Sequence, residues 1–168
     1  LQKNKFIKKN HFSNTLMFIG RIIIDKGINE LIEAIKLVKK QDKSINFIFL
    51  GKFDKNNPKS MNEKTFNNFI KDYNIDHFDF TENIDFFYQN SDAIILPTYR
   101  EGTPRVLLEA MSRGINVLCS NTIGCNHIIS NNHNGIMFLK KNINDLANKI
   151  IEYKNLSTNK KIELAVNA

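Results

Sequence analysis

The sequence has no tryptophan, only three prolines and only two cysteines among its 168 residues. Cys119 and Cys125 are too few for a disulfide scaffold, and no second pair of thiols is present to complete a four-cysteine zinc site. We therefore expect small, partly buried thiols in a reducing cytoplasm. No aspartate cluster suggests a bound metal. No run approaches the roughly 18 apolar residues that a membrane-spanning helix needs.

The composition is basic, with a formal net charge of +7 and a pI of about 9.4. Such a charge supports solubility, and it also favours an anionic ligand or an anionic membrane surface. The lysines are scattered and form no basic helix or aromatic–basic platform, so nucleic acid is not an expected partner. Apolar residues make up 42% of the chain and include 13 phenylalanines, enough for a core. The length fits one domain, or one lobe of a larger protein.

The hydrophobic pattern alternates short apolar runs with segments of helical period. Strands are predicted at 15–20, 45–51, 77–81, 92–97, 115–120 and 134–140, and helices at 28–40, 62–74, 83–90, 103–114, 124–130 and 142–153. This order predicts an α/β, Rossmann-like three-layer sandwich, with a parallel sheet of about six strands covered on both faces. The domain would span 15–153, after a linker at 1–14 and before a tail or marginal helix at 154–168.

Two cations follow the first predicted strand. Gly20 lets the backbone turn closely, and Arg21 and Lys26 lie on the loop that precedes the first helix. A guanidinium and an ammonium together suit phosphate oxygens. The alternative is a pair of solvated surface cations. Neither the glycine-rich dinucleotide fingerprint nor the Walker lysine motif is present, so those two nucleotide sites are not predicted.

The stretch REGTPRVLLEA places a glutamate in an apolar helix. Thr103 is expected to cap this helix and Pro104 to occupy its first turn, with Glu101 and Gly102 in the loop before it. On the helix, Val106, Glu109 and Arg113 share one stripe, whereas Leu107, Ala110 and Met111 would pack on the sheet. Glu109 can then face a cleft and accept two hydrogen bonds from a ribose diol. The alternative is an ordinary half-exposed helix glutamate.

These residues resemble a known family. Glu101 and Glu109, separated by seven residues within LPTYREGTPRVLLEAM, look like the signature of family 4 retaining glycosyltransferases. Further matches follow the family in order over about residues 15–153: Gly20-Arg21 with Asp25-Lys26-Gly27, Gly51 with Asp54, Asn57-Pro58, SDAIILP, Gly124-Cys125 and Asn134-Gly135. The chain is most similar to members that assemble bacterial capsule, O-antigen and other surface polysaccharides.

Some positions depart from the family. Thr81 stands where glycine is usual, Ile123 precedes Gly124 where proline is common, and Asn126-His127 replace Arg-Glu. His127 is interpreted either as an uncharged hydrogen-bonding group near the sugar or as a surface histidine. The remaining histidines, His11, His77 and His133, are expected to be structural or exposed.

The resemblance implies the carboxyl-terminal, donor-binding lobe of a two-lobed GT-B enzyme. Arg21 and Lys26 would hold the diphosphate of a nucleotide sugar, Glu109 the ribose hydroxyls and Glu101 the hydroxyls of the donor sugar. Arg21, Lys26 and Glu101 would be the catalytic groups. Val106 and Leu107 would help to shape the wall of the site, and the base would lie near Thr81 and Ile84. The whole implied donor site comprises Gly20, Arg21, Lys26, Thr81, Ile84, Glu101, Gly102, Thr103, Pro104, Arg105, Val106 and Glu109.

The family's chemistry implies retention of configuration without an enzymic nucleophile, a metal or another cofactor. The implied donor is a UDP-sugar, with GDP-sugars as the alternative, and the implied acceptor is a saccharide or a polyprenyl-linked saccharide. We expect a missing amino-terminal lobe to complete the acceptor site, so that this lobe alone is inactive. A cytoplasmic protein is expected, drawn to the inner face of the cell membrane by its basic surface. The alternatives are a separately encoded, non-catalytic donor-binding subunit and another enzyme of this fold, such as an epimerase or a phosphorylase.

Overall fold

The computed structural model describes residues 12–168, and a sheet of six parallel strands forms its centre. The predicted linker at 1–14 lies mostly outside these residues, as does His11. The strands are β1 (Thr15–Ile19), β2 (Asn46–Leu50), β3 (Asp76–Phe78), β4 (Ala93–Leu96), β5 (Asn116–Ser120) and β6 (Ile136–Phe138). Their order in the sheet is β3-β2-β1-β4-β5-β6. The predicted α/β class and parallel sheet are confirmed.

The order of the strands creates one reversal in the middle of the sheet. From β1 the chain moves outward to β2 and β3, and then it returns to the other side of β1 to form β4. The loops that follow β1 and β4 therefore diverge onto opposite faces at neighbouring strand ends. In open α/β sheets, a crevice at such a reversal is the usual place for a ligand.

Seven α-helices connect and cover the described strands. They are α1 (Ile28–Gln41), α2 (Glu63–Tyr73), α3 (Ile84–Gln89), α4 (Arg105–Met111), α5 (Ile123–Asn126), α6 (Ile143–Asn155) and α7 (Thr158–Val166). A side-chain oxygen caps four of them, because Asn62, Asn83, Asn142 and Ser157 each accept a hydrogen bond from a first-turn backbone N–H. None of the helices described is long and apolar enough to cross a membrane.

Two apolar cores lie on opposite faces of the sheet. One is formed with α1, α2, α6 and α7, and it includes the packed rings of Phe18, Phe49 and Phe66. The other is formed with α3, α4 and α5, and it includes Leu107 and Ala110. This division gives the predicted three layers. It also confirms that the inner stripe of α4 packs on the sheet.

The start of α4 differs from the prediction. The helix begins at Arg105, Pro104 is its N-cap residue, and no side chain caps it. Thr103 is exposed, so the prediction that it caps the helix is wrong. The physical reason is that Pro104 is held in an extended conformation, with φ of −73° and ψ of 90°, and the chain enters the helix only after it.

The last fifteen residues are largely helical. Helix α6 continues to Asn155, and α7 follows after Ser157. Within α7, Leu164 is 1% exposed and Lys161 is 5% exposed. Lys161 donates a hydrogen bond from Nζ to the Lys154 carbonyl at 3.0 Å. The segment 154–168 therefore contributes to the core of the domain.

Candidate functional site

The loops after β1 and β4 touch at the carboxyl edge of the sheet. The Tyr99 N–H donates to the Asp25 carbonyl at 2.9 Å. Gly27 has φ of 72°, and a Cβ built on it would lie 2.0 Å from the Pro97 carbonyl oxygen. Only glycine fits this left-handed, crowded position. The glycine therefore allows the loop that carries Lys26 to lie directly against the end of β4.

This contact brings together two of the predicted site residues. Lys26 Nζ forms an ion pair with Glu101 Oε1, and their side chains are 23% and 18% exposed. Lys26 follows β1 and Glu101 follows β4, so the pair spans the reversal in the sheet. Because both groups are only partly exposed, their attraction is less screened than that of a surface pair.

The loop that carries Glu101 is supported from below and open above. A Cβ built on Gly124 would lie 2.2 Å from the Gly102 carbonyl oxygen and 2.4 Å from that of Glu101, so α5 packs tightly beneath the loop. A Cβ built on Gly102 would meet no atom within 4 Å. Gly102 therefore leaves the space beside Glu101 open.

Arg21 pairs with a different carboxylate. Its Nη1 lies 2.7 Å from Asp54 Oδ2, and the two side chains are 56% and 30% exposed. A cavity of about 620 Å³ opens there, lined by Arg21, Lys52, Phe53, Asp54, Lys55, Glu63, Asn67, His77 and Asp79. The two predicted phosphate-binding cations are therefore held by two acids on different sides of β1. Their convergence on one ligand stays a prediction.

Glu109 is exposed on α4. Its backbone is close to α3, because Arg113 donates both to the Glu109 carbonyl oxygen at 3.1 Å and to Asp85 of α3 at 2.8 Å. Burial raises the pKa of the Tyr88 hydroxyl, and the charge of the Glu109 carboxylate raises it further. Tyr88 belongs to α3, and α3 follows the loop in which the base was predicted to bind. Glu109 thus faces the side of the site expected to hold the nucleoside.

The predicted base region is a capped turn. Thr81 Oγ1 accepts a hydrogen bond from the Asn83 N–H at 3.0 Å, and Asn83 caps α3. Ile84 is the first residue of α3, and its half-buried side chain packs against the core on that face. The Thr81 hydroxyl therefore shapes the turn.

The predicted donor-site residues at the start of α4 are part buried and part exposed. Pro104 is buried and Val106 is half-buried, whereas Thr103 and Arg105 are exposed. The Gly20 N–H donates to the Leu50 carbonyl at 3.0 Å, which ties the loop after β1 to the end of β2.

The described histidines are either exposed or bound to the backbone of a neighbouring strand end. His127 is exposed at the end of α5, and His133 is also exposed. The His77 Nε2 lies 2.8 Å from the Gly51 carbonyl oxygen and serves the packing of β3. Within residues 12–168, no group of three His, Cys, Asp or Glu residues could hold a metal ion.

The partners of Tyr99 at this edge could not be predicted from the sequence. Its hydroxyl oxygen lies 2.6 Å from each carboxylate oxygen of Glu30, and Lys141 Nζ lies 4.5 Å from the centre of its ring. Burial and the hydrogen bond to Glu30 raise the pKa of Tyr99. These residues are far apart in the sequence, so no spacing could have indicated the contact.

The two cysteines are free, and they are fully rather than partly buried. Cys125 also borders the site. A hydrogen bond to the Cys125 sulfur raises the pKa of Cys119, and burial raises it further. The same hydrogen bond lowers the pKa of Cys125, whose sulfur also feels the charges of Glu101 and Lys26. Cys125 therefore lies close beneath the Lys26–Glu101 pair.

Comparison with known proteins identifies the family. Residues 2–167 match the family described as glycosyl transferases group 1. The chain belongs to this family. Its six-stranded parallel sheet with helices on both faces is the Rossmann-like fold found in GT-B glycosyltransferases.

Two curated relatives are bacterial glycosyltransferases. The capsular polysaccharide biosynthesis glycosyltransferase CapM of Staphylococcus aureus is 27% identical over 154 residues, which is 89% of this chain and 40% of that protein. The N,N'-diacetylbacillosaminyl-diphospho-undecaprenol alpha-1,3-N-acetylgalactosaminyltransferase of Campylobacter jejuni is 33% identical over 135 residues, which is 80% of this chain and 34% of that protein. The chain thus spans 40% or less of either relative.

A solved structure shares the fold over almost the whole chain. The Anabaena protein Alr3699/HepE, in complex with UDP and glucose, superimposes with a TM-score of 0.78 and 20% identity, covering 98% of this chain and 42% of that one. At this identity the likeness establishes the fold alone.

Proposed function

We infer that this chain is the donor-binding lobe of a retaining glycosyltransferase that transfers a sugar from a nucleotide sugar, most simply a UDP-sugar. The observation that carries the proposal is the Lys26–Glu101 pair at the reversal of a parallel sheet, in a chain of the glycosyl transferases group 1 family. That place in the fold is where such sheets bind ligands. The choice of UDP is supported by the Anabaena protein of the same fold, whose structure contains UDP.

The charges suit departure of a diphosphate. As the sugar–phosphate bond breaks, negative charge grows on the leaving diphosphate, and a fixed ammonium such as Lys26 stabilises it. Lys26 is already held by Glu101, so its position is set before the substrate arrives. Arg21 would supply a second cation by exchanging Asp54 for a phosphate oxygen. No side-chain nucleophile is needed in this scheme.

Glu101 and Glu109 would bind hydroxyl groups. Glu101 lies next to Gly102, where a Cβ would meet no atom within 4 Å, so the side of the loop on which the donor sugar would bind is open. Glu109, on the side of α3, would accept hydrogen bonds from the ribose. The acceptor would be a saccharide, or one linked to a polyprenyl diphosphate as in the name of the Campylobacter relative. Another lobe would supply most of its site.

Calorimetric titration tests the proposed site. UDP, GDP and ADP are titrated into the unmodified chain, and UDP is then titrated into Glu109→Ala and Lys26→Ala. Each loss of a charged hydrogen-bonding partner should weaken UDP binding about 10-fold or more. Glu152→Ala and Lys160→Ala are matched controls, because both residues form i,i+3 ion pairs on distant helices. Unchanged affinity in both site variants would remove the assignment.

A second measurement tests the reaction class. The chain alone should bind the nucleotide but transfer little sugar, because the acceptor site would lie largely on another lobe. Products are analysed after incubation with a UDP-sugar and a saccharide acceptor. Isomerised or phosphorolysed sugar would instead indicate an epimerase or a phosphorylase of this fold. Robust transfer by the chain alone would contradict the proposal that another lobe supplies most of the acceptor site.

A further inference from the structure

Arg113 is a nearly buried cation that joins α3 to α4. Its side chain is 10% exposed, and its Nε donates to Asp85 Oδ1 at 2.8 Å. The guanidinium carbon lies 4.7 Å from the centre of the Tyr88 ring. Asp85 and Tyr88 both belong to α3. One side chain at the end of α4 therefore contacts α3 through an ion pair and through an aromatic face.

The same guanidinium caps the backbone of Glu109. Arg113 Nη1 donates to the Glu109 carbonyl oxygen at 3.1 Å, and Ser112 Oγ donates to that oxygen at 2.9 Å. The Arg113 N–H itself donates to the Ala110 carbonyl at 3.0 Å. The last carbonyls of a helix lack regular N–H partners, so side-chain donors there fix the final turn. The turn that Arg113 fixes is the one that carries the Glu109 carboxylate.

Tyr88 presents a buried hydroxyl next to this carboxylate. The residue is 0% exposed, and its hydroxyl makes no well-formed hydrogen bond within the described residues, but the Glu109 carboxylate lies near enough to act as its acceptor. The Glu109 carboxylate is the charged group with the strongest effect on that hydroxyl. A buried hydroxyl without a partner is unfavourable, so it attracts a nearby acceptor. The carboxylate is thus drawn toward the α3 side of its own helix.

We propose that Arg113 is a positioning residue for Glu109. It clamps α3 against the last turn of α4, and with Tyr88 it keeps the Glu109 carboxylate on the side where the ribose of the donor would bind. Arg113 itself would not contact the nucleotide. The inference rests on the proposed function, because Arg113 would position the same glutamate that the proposed function assigns to the ribose hydroxyls.

The test compares two nucleotides that differ in one hydroxyl. The dissociation constants of UDP and 2'-deoxyuridine 5'-diphosphate are measured for the unmodified chain, and their ratio reports the contact with the 2'-hydroxyl. A charge-assisted hydrogen bond gives a preference for UDP of about 10-fold or more. Glu109→Gln should lower this ratio toward one, and Arg113→Met should lower it by about 3-fold or more, because the carboxylate is no longer held in place. Tyr88→Phe, which removes only the hydroxyl next to the Glu109 carboxylate, should lower the ratio less and should leave the chain folded.

The control separates positioning from general loss of stability. Lys154→Met removes the 3.0 Å ion pair with Asp42 at the other end of the sheet, so it should lower the melting temperature and leave the ratio unchanged. If Glu109→Gln lowers the ratio but Arg113→Met has the ratio of the unmodified chain, this inference alone is overturned. No binding of UDP, or a ratio that Glu109→Gln does not change, would overturn the proposed site and this inference together. If Arg113→Met does not fold, Tyr88→Phe takes its place. A ratio below that of the unmodified chain supports the inference, and an unchanged ratio overturns it.

Discussion

The two halves of the carboxyl edge of the sheet are built in different ways. Around the ends of β1 and β4, backbone lies on backbone at Gly27 and Gly124, and the Lys26–Glu101 pair is largely enclosed. Around the ends of β2 and β3, the edge opens into a cavity of about 620 Å³, and the Arg21–Asp54 pair faces solvent. The first half is preorganised, whereas the second leaves its charges free to exchange partners.

The largest effect on stability is expected at Gly27, in the enclosed half of the edge around the ends of β1 and β4, here called the closed half. In Gly27→Ala, the methyl group would occupy a left-handed backbone position and lie 2.0 Å from the Pro97 carbonyl oxygen. Backbone strain of about 1–3 kcal/mol and overpacking of about 1–3 kcal/mol together should lower the free energy of unfolding by roughly 3 kcal/mol or more. Urea denaturation followed by circular dichroism measures it. A variant as stable as the parent would show that this half is not tightly packed.

Gly102 lies in the loop that carries Glu101, and Gly124 lies in α5 beneath that loop, so substitutions at the two positions compare its open and its supported side. Gly124→Ala would place a methyl group 2.2 Å from the Gly102 carbonyl oxygen, so a destabilisation of about 1–3 kcal/mol is expected. Gly102→Ala meets no atom within 4 Å, and its stability should lie within about 0.5 kcal/mol of the parent. The same denaturation experiment on both variants measures the difference. Equal stability of the two would refute the picture of a loop supported from one side only.

The two ion pairs should differ in strength. Lys26→Met leaves the Glu101 carboxylate partly buried and unpaired, so we expect a loss of about 1–2 kcal/mol, below that for deeply buried pairs. Arg21→Met breaks an exposed pair and should change stability by about 0–1 kcal/mol. The measurement is repeated in 1 M salt, where the Debye length is about 3 Å. The stability change in Arg21→Met should then decrease more than that in Lys26→Met, because the exposed pair is more strongly screened. A larger effect of Arg21→Met would reverse the assignment of closed and open halves.

The smallest effect is predicted at the opposite, amino edge of the sheet. The Ser44 hydroxyl and then the Lys154 ammonium, through their hydrogen bonds, lower the pKa of Asp42 to about 2. A carboxylate with a depressed pKa stabilises the fold above its unfolded pKa of about 3.9, and this stabilisation is lost as the pH falls toward 2. Asp42→Asn should therefore melt at a lower temperature than the parent at pH 6, and the gap should close between pH 4 and pH 2. A gap that is constant over this range would contradict the assignment.

The order of the elements and the inner face of each helix could be predicted from the sequence. The apolar runs that became β1, β2, β4 and β5 are short and end at glycine, proline or a polar turn, so their lengths are set locally. The spacing of Leu107 and Ala110 fixed which side of α4 is buried, because the helical period depends only on backbone geometry. The start of the same helix was not predictable in this way, because the extended conformation of Pro104 prevailed over the capping preference of Thr103.

Sequence motifs predicted which residues belong to the site, but they could not predict which residues these contact. Lys26 and Glu101 are 75 positions apart, and their pairing depends on β4 returning to lie beside β1. Arg113 lies four positions after Glu109, a spacing that places the two on one side of a helix, yet its contact with Tyr88 depends on how α3 packs.

The amino-acid sequence by itself determined the alternation of strands and helices, the inner stripe of each helix and the presence of charged groups after the first and fourth strands. Only the tertiary structure decided that Lys26 meets Glu101, that Arg21 turns to Asp54 and that Gly124 supports the loop beneath Glu101. The physical reason is that local periodicity acts over a few residues. Contacts between loops depend instead on the order of strands in the sheet, which is fixed only when the whole core is packed.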